Sequence, residues 1–577
     1  MLENIDWIPI TKEELKKKGW DEVDVIIVSG DAYVDHPAFS NALIARLIES
    51  KSLRVAILPQ PNWQDDLRDF KKLGKPRLFF GVSSGNMDSM VNHYTAAKRL
   101  RSNDAYTPGG QSGFRPDYAS YVYTNILKTL YPDVPIVLGG IEASMRRFTH
   151  YDYWSDKLKP SILAESKADL LIYGMGEKPL LELIGRLKAG ESFSNITDIK
   201  QTAYITNNKI VFAESDNNLV IPSHESCLKD KKVFAKMFRQ IEEESNCQSD
   251  RVIIQKIGNA NIVVNAPFHN ITEKEIDTYY SLPYKRLPHP KYIKRGNIPA
   301  FEMIKNSINI HRGCFGGCSF CTISMHQGKQ ITNRSEQSIL KEIEIVTKHI
   351  NFKGYLSDIG GPSANMYGMG GIDKSKCKEC KRSSCIFPGI CKNLNIDHSK
   401  LINLYKKINS IKGIKKAFIG SGVRYDMLLS DDKEIIRKNQ LDKYTELLIL
   451  DHVSGRLKVA PEHTERHILD LIRKPDFEKF IEFKTIFDNI NKKYNLRQEI
   501  VPYIVSSLPD CKLEDMKTCS KKLQRLRIYP EQVQDFTPTP MTLSSVLYYS
   551  NYNPYTEKTV FVEKNIVNKK KQKETLF

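Results

Sequence analysis

Strand-length apolar runs alternate with amphipathic helical patterns along most of this chain, and a proline-rich basic stretch at 282–299 breaks the rhythm. Nothing else constrains the fold as strongly. Apolar runs at 24–29, 54–58, 77–82, 135–139 and 168–173 read as strands, with helices at 39–50 and 118–130 between them. Such alternation predicts an open parallel sheet covered by helices on both faces. Glycines fall at or near the strand ends (Gly30, Gly81, Gly139, Gly140 and Gly174), where sheets of this kind bind ligands. None of them completes a G-x-G-x-x-G, so tight turns are the plainer reading.

Residues 210–215 and 260–267 read as further strands, and 233–245 as a helix between them. The stretch at 282–299 carries four prolines, so 286–305 is expected to be a linker following an N-terminal domain, 1–285. Beyond it the alternation resumes. Strands are expected at 306–311, 354–358, 416–421, 455–459, 499–506 and 532–536, and helices at 336–349, 401–408 and 477–493. Six strand–helix units over 306–545 predict a partial β/α barrel, with chemistry at the carboxyl ends of its strands. Residues 546–577 read as a disordered basic tail.

A chain of 577 residues exceeds one hydrophobic core. It has no apolar run of membrane-spanning length and no secretory leader pattern, so a cytoplasmic, membrane-free protein is expected. The formal net charge of +18 suggests a polyanionic partner such as RNA. Lysine-rich solvated helix faces account for it equally well.

The 11 cysteines are unevenly placed: seven fall between Cys314 and Cys391. In a reducing compartment such clustering points to metal rather than disulfides. The first group, NIHRGCFGGCSFCTIS, spaces Cys314, Cys318 and Cys321 as C-x3-C-x2-C. A [4Fe–4S] cube normally takes four thiolates, so three from one loop leave an iron open. Gly316 and Gly317 let the backbone wrap tightly; Phe315 and Phe320 supply apolar cover. Structural zinc is the alternative, with His311 or His326 as fourth ligand. The second group, Cys377, Cys380, Cys385 and Cys391, forms a cysteine-rich insertion at 377–391 with enough ligands for a closed site. Zinc and a second iron–sulfur cluster both suit thiolates; free thiols are the bland alternative.

C-x3-C-x2-C after a strand, with an aromatic residue before the last cysteine, resembles the signature of the radical S-adenosylmethionine (SAM) superfamily. IVLGGIEASMRRFTHYDYW, LSDIGGPSANMYG, GSGVRYD, LKVAPEHTE and QVQDFTPTP, in this order, resemble the bacterial YgiQ family over nearly the whole chain. The resemblance implies a Rossmann-like, cobalamin-binding-like N-terminal sheet before a radical SAM barrel. It also implies an open iron that binds SAM, reductive cleavage of the sulfonium to a 5′-deoxyadenosyl radical, and an electron donor such as flavodoxin or ferredoxin. By the same resemblance Gly360 and Gly361 match a turn that holds the SAM amino group. Pro362 replaces the expected acid there, so Asp358 or a backbone carbonyl would take its place. Arg424 would pair with the SAM carboxylate, with a surface salt bridge as the alternative; Glu462 and His463 would contact the ribose or do acid–base work. The D-x-H-x-x-G that gives cobalt a histidine is absent, and Asp35-His36 has the wrong spacing, which argues against cobalamin. Two other readings stay open: a radical SAM methyl- or methylthiotransferase on RNA or protein, and a non-enzymatic, metal-stapled nucleic-acid-binding protein.

Overall fold

The computed structural model describes residues 7–206, 212–269 and 271–577. The N-terminal part is built on one nine-stranded sheet. Its strands are β1 (Val25–Ser29), β2 (Val55–Pro59), β3 (Phe79–Ser83), β4 (Ile136–Leu138), β5 (Leu170–Ile172), β6 (Thr202–Thr206), β7 (Asn218–Ile221), β8 (Val252–Ile257) and β9 (Ala260–Val264). They lie in the order β7-β8-β9-β6-β5-β4-β3-β1-β2. The five strands from β2 to β5 run parallel; β6 is antiparallel to β5, β9 to both β6 and β8, and β7 is parallel to β8. β1 and β2 are buried along their whole length, which is why they read as continuous apolar runs rather than alternating ones. The strand expected at 210–215 lies partly outside the described residues, and 212–215 form a loop.

A partial β/α barrel follows. Its strands are β10 (Ser307–Asn309), β11 (Tyr355–Leu356), β12 (Asp358–Gly360), β13 (Lys416–Ala417), β14 (Arg456–Glu462), β15 (Glu499–Ser506) and β16 (Gln532–Asp535). β10 runs parallel to β12, β11 to β13, and β14 to β15 and then β16. β13 stops short of the expected 416–421 because Gly420 and Ser421 turn their amides onto the Asp358 carboxylate, at 2.8 and 3.1 Å. The chain is therefore α/β throughout, an open, largely parallel sheet followed by a partial barrel. No helix among the described residues is long and apolar enough to cross a membrane.

Two segments differ from expectation. The presumed linker at 286–305 is packed: Tyr292, Ile298 and Phe301 lie in the core beneath β1 and β2, and Leu287–Pro288 pairs with Val34–Asp35. Its prolines break helices without preventing the apolar residues between them from being buried. The presumed tail is folded as well. It contains the helices Leu543–Ser550 and Ile566–Glu574. Gln572 Oε1 accepts from the Ser507 amide (3.0 Å) and its Nε2 donates to the Cys511 carbonyl (2.9 Å). Lys569 reaches the Tyr153 hydroxyl at 3.2 Å and lies over the Tyr153 and Tyr548 rings. Its stem is buried while its charge is offset by aromatic faces, which a composition-based reading misses.

Candidate metal centre and adjoining cavity

Cys314, Cys318 and Cys321 sit in the loop between the strand His311–Arg312 and the helix Ile323–Gln327. The loop closes on itself: the Cys314 amide donates to the Gly328 carbonyl (3.1 Å), the Cys321 amide to the Cys318 carbonyl (3.1 Å), and Ser324 Oγ to the Cys314 carbonyl (2.9 Å). A Cβ on Gly316 would lie 2.8 Å from Arg424 Nη1 and 3.3 Å from Cys314 Sγ. Gly317 has φ +60°, and a Cβ there would lie 2.1 Å from the Ser383 carbonyl oxygen. Glycine is needed at both positions for close approach. Neighbours pin the loop from outside. The Ser319 amide donates to the Ile472 carbonyl (3.1 Å), its hydroxyl meets that of Ser544 (2.6 Å), and Arg473 Nη1 donates to the Gly317 carbonyl (3.4 Å). Arg473 is gripped by Glu242 at 2.7 and 2.8 Å. Glu242 comes from the N-terminal helix Lys231–Asn246 and also accepts from the Tyr555 hydroxyl.

Burial pushes the Cys314 thiol up and the Cys321 thiol up to about 12, so either would be held as a thiolate only with positive charge nearby. Arg424 supplies it. Asp426 grips its Nε and Nη2 at 2.9 and 2.7 Å, which leaves Nη1 facing Cys318 Sγ at 3.6 Å. Asp426 thus holds one edge of the guanidinium, and a SAM carboxylate would meet only the Nη1 side. Asp358 is likewise spoken for by Gly420, Ser421 and the Ser421 hydroxyl. Gly360 and Gly361 are fixed by packing: a Cβ on Gly360 would lie 2.4 Å from Ser421 Oγ, and one on Gly361 2.6 Å from the His311 ring. His311 is wholly buried, both ring nitrogens lack partners, and burial pulls its pKa down to about 4.

Glu462 ends β14 in a left-handed conformation, φ +69°, beyond a register shift. Burial pushes its carboxyl up, opposed by Lys474 Nζ at 3.3 Å. It shares the Arg424 neighbourhood. His463 instead faces Met516 Sδ at 3.3 Å and the Cys511 thiol at 3.6 Å, inside the core, so it is structural.

Cys377, Cys380, Cys385 and Cys391 lie beside this loop. The Cys385 amide donates to the Phe315 carbonyl (3.0 Å), the Cys391 amide to the Cys385 carbonyl (2.8 Å), and the Cys380 amide to the Cys377 carbonyl (3.3 Å). All four line a cavity of about 1350 Å³ between the N-terminal sheet, the segment after Cys321 and the insertion. Among the described residues no three His, Cys, Asp or Glu side chains gather closely enough for a single metal ion.

Strand order reverses between β1 and β3, where such sheets open a crevice. Here Arg115, fully buried, pairs with Asp31 at 2.9 Å and Asp104 at 3.1 Å. A Cβ on Gly30 would lie 2.3 Å from the Ser84 carbonyl oxygen. His36 is buried, with its ring edge-on to Phe39 and Phe301, and Asp35 is paired with Arg46 at 2.5 Å. The switch point is therefore packed, while the end of β5, at Tyr173 and Gly174, opens on the large cavity.

Sequence reasoning missed Asp426, Lys474, Arg473 with Glu242, and Arg147 on the cavity wall. Asp426 carried a local signal, two residues from Arg424. The others are joined only by the fold.

The Radical SAM N-terminal family model matches residues 7–307. A UPF0313 protein of Bacteroides thetaiotaomicron is 56% identical over 99% of this chain and 94% of its own length. A UPF0313 protein of Methanocella arvoryzae is 46% identical over 96% and 90%. One from Clostridium botulinum strain Okra is 44% identical over 100% and 88%. Among solved structures, the radical SAM methyltransferase TsrM from Kitasatospora setae, with cobalamin and a [4Fe-4S] cluster bound, is 13% identical. The match covers 91% of this chain and 77% of that one at a TM-score of 0.48.

Proposed function

We propose, on the premise that this chain belongs to the UPF0313 family of radical SAM proteins, that Cys314, Cys318 and Cys321 hold a [4Fe–4S] cluster that cleaves SAM. The observation that carries the reading is the glycine-wrapped loop of three thiols at the barrel mouth, with the free edge of Arg424 turned toward Cys318. A cube is wider than one ion, so thiols too far apart for a single metal still suit it. Held by these three thiolates and reduced by an external donor, a [4Fe–4S] cluster would supply the single electron needed to cleave the SAM sulfonium to methionine and a 5′-deoxyadenosyl radical. The chain's own residues do the rest. Arg424 offsets thiolate charge, the Asp426 grip fixes its direction, and Glu462 with Lys474 forms a buried polar wall beside it. Gly360 and Gly361 bring the barrel backbone close to the loop.

In this reading the cysteines of the insertion form a second metal site, and by the same spacing argument an auxiliary cluster suits them better than a single zinc ion. Lys374, Lys376, Lys378 and Lys381 are exposed around it, a basic rim for an acidic one-electron carrier such as flavodoxin or ferredoxin. Methylthio transfer is the second reading, favoured by the hydrogen bond that sets Cys385 against the cluster loop.

The test is anaerobic reconstitution with iron and sulfide counted, then dithionite, SAM and chromatography of the nucleosides. Wild type should release 5′-deoxyadenosine, and Cys318→Ala should lose both cluster and product. A loaded cluster that leaves SAM intact would refute the proposal. Methyl or methylthio groups traced from labelled SAM into product would select the second reading. Cys380→Ala with Cys385→Ala should lose the second metal while the first spectrum survives.

A further inference from the structure

Arg147 stands in the GGIEASMRRF stretch, just past the helix Gly140–Met145, on the wall of the large cavity. It is 4% exposed. The guanidinium lies over the rings of Tyr173 and Phe148, with centroids at 4.7 and 5.4 Å. Nη1 donates to the Ser144 carbonyl at 2.7 Å, but Nε is buried without an acceptor. No carboxylate among the described residues pairs with it, whereas the adjacent Arg146 is paired with Asp88. The other arginine, lysine and glutamate side chains on the cavity wall face solvent or have partners, as Glu244 has Arg251 and Lys329 the Arg382 carbonyl. A buried charge without a counter-charge is costly. It persists where a ligand supplies the missing anion. The helix after Cys321 packs directly against this wall: a Cβ on Gly174 would lie 3.0 Å from the His326 carbonyl oxygen. The His326 Nδ1 is also buried without a partner, a second polar group at the same place.

We propose that Arg147 anchors the oxyanion of a small molecule, a carboxylate or a phosphate, that enters this cavity. A guanidinium stacked on aromatic rings, with one nitrogen given to Ser144, keeps further N–H groups for such an anion. That this molecule is the substrate rests on the radical SAM reading; the anion site itself does not.

The experiment is calorimetric titration of the SAM-saturated protein with inorganic phosphate and, separately, with malonate. Wild type should bind at least one of the two saturably, and the preferred anion assigns the class. Arg147→Gln should bind it at least about tenfold more weakly, Arg147→Lys should fall between, and Lys400→Gln, on the exposed rim, should match wild type. No saturable binding to wild type, or equal binding to Arg147→Gln, overturns the site. If Arg147→Gln does not fold, selenate diffused into wild-type crystals decides. An anomalous peak within hydrogen-bond distance of the Arg147 guanidinium supports the site, and its absence overturns it. Release of 5′-deoxyadenosine by wild type is read in parallel. Anion binding without SAM cleavage would sink only the assignment to substrate, and cleavage without anion binding only the Arg147 site.

Discussion

Arg473→Met tests whether the N-terminal half clamps the cysteine loop. Arg473 and Glu242 have side chains 10% and 9% exposed and meet through two contacts, 2.7 and 2.8 Å. They join the segment behind the loop to the helix Lys231–Asn246. Removing the arginine leaves Glu242 buried with only the Tyr555 hydroxyl. Breaking one side of a buried pair costs about 3–5 kcal/mol, while replacing both by apolar groups of similar size is often nearly neutral. Arg473→Met and Glu242→Leu should therefore each lower stability by about 3–5 kcal/mol, and the double variant by far less than their sum. Urea midpoints followed by pulse proteolysis read the loss, and iron per chain after reconstitution reads the loop. Iron should fall with Arg473→Met, since the Gly317 carbonyl loses its donor. Single losses below about 1 kcal/mol, the range of exposed pairs, or strict additivity in the double variant, would refute the clamp.

Gly317→Ala should lower iron loading and loosen the insertion together. Its Cβ would meet the Ser383 carbonyl oxygen at 2.1 Å in a left-handed backbone that itself costs about 1–3 kcal/mol; limited proteolysis and iron content would show it. Arg424→Gln should make the cluster harder to reduce, by on the order of 100 mV for one charge lost at short range in an effective dielectric of about 20. An unchanged midpoint in an electron-spin-resonance redox titration would place Arg424 away from the cluster. Burial lowers Lys569 from 10.5 to about 8, so between those pH values the folded chain binds fewer protons than the unfolded one. Stability should thus rise as pH climbs from about 8 to about 10.5, by at most about 3 kcal/mol. Lys569→Met should flatten that slope; a slope unchanged in the variant would assign it to other groups.

The fold was legible where burial is two-sided or periodic. β1, β2 and β15 read as strands because parallel strands are apolar on both faces, and the helix Phe477–Lys493 because Phe480, Phe483 and Phe487 recur on one buried side. The segment 286–305 was misread because single apolar anchors among prolines leave no period. The end of the chain was misread because lysine counts as solvent-seeking until aromatic rings are known to flank it. At the candidate centre, the cysteines and glycines form a local pattern and could be read. A ligand contact and a salt bridge were both open for Arg424, and the turn Tyr425–Met427 brings it to Asp426, two residues on. The Arg473 and Glu242 pair spans more than two hundred positions, and no linear pattern reveals it.

The helix Ile566–Glu574 carries a consequence for assembly. It rests on Tyr153 from the first half and on Ser507 and Cys511 from the second, and a ribosome makes it after every cysteine in the chain. Until it emerges, the two halves lack this common latch, so their docking is completed only when the last stretch of the chain has been made.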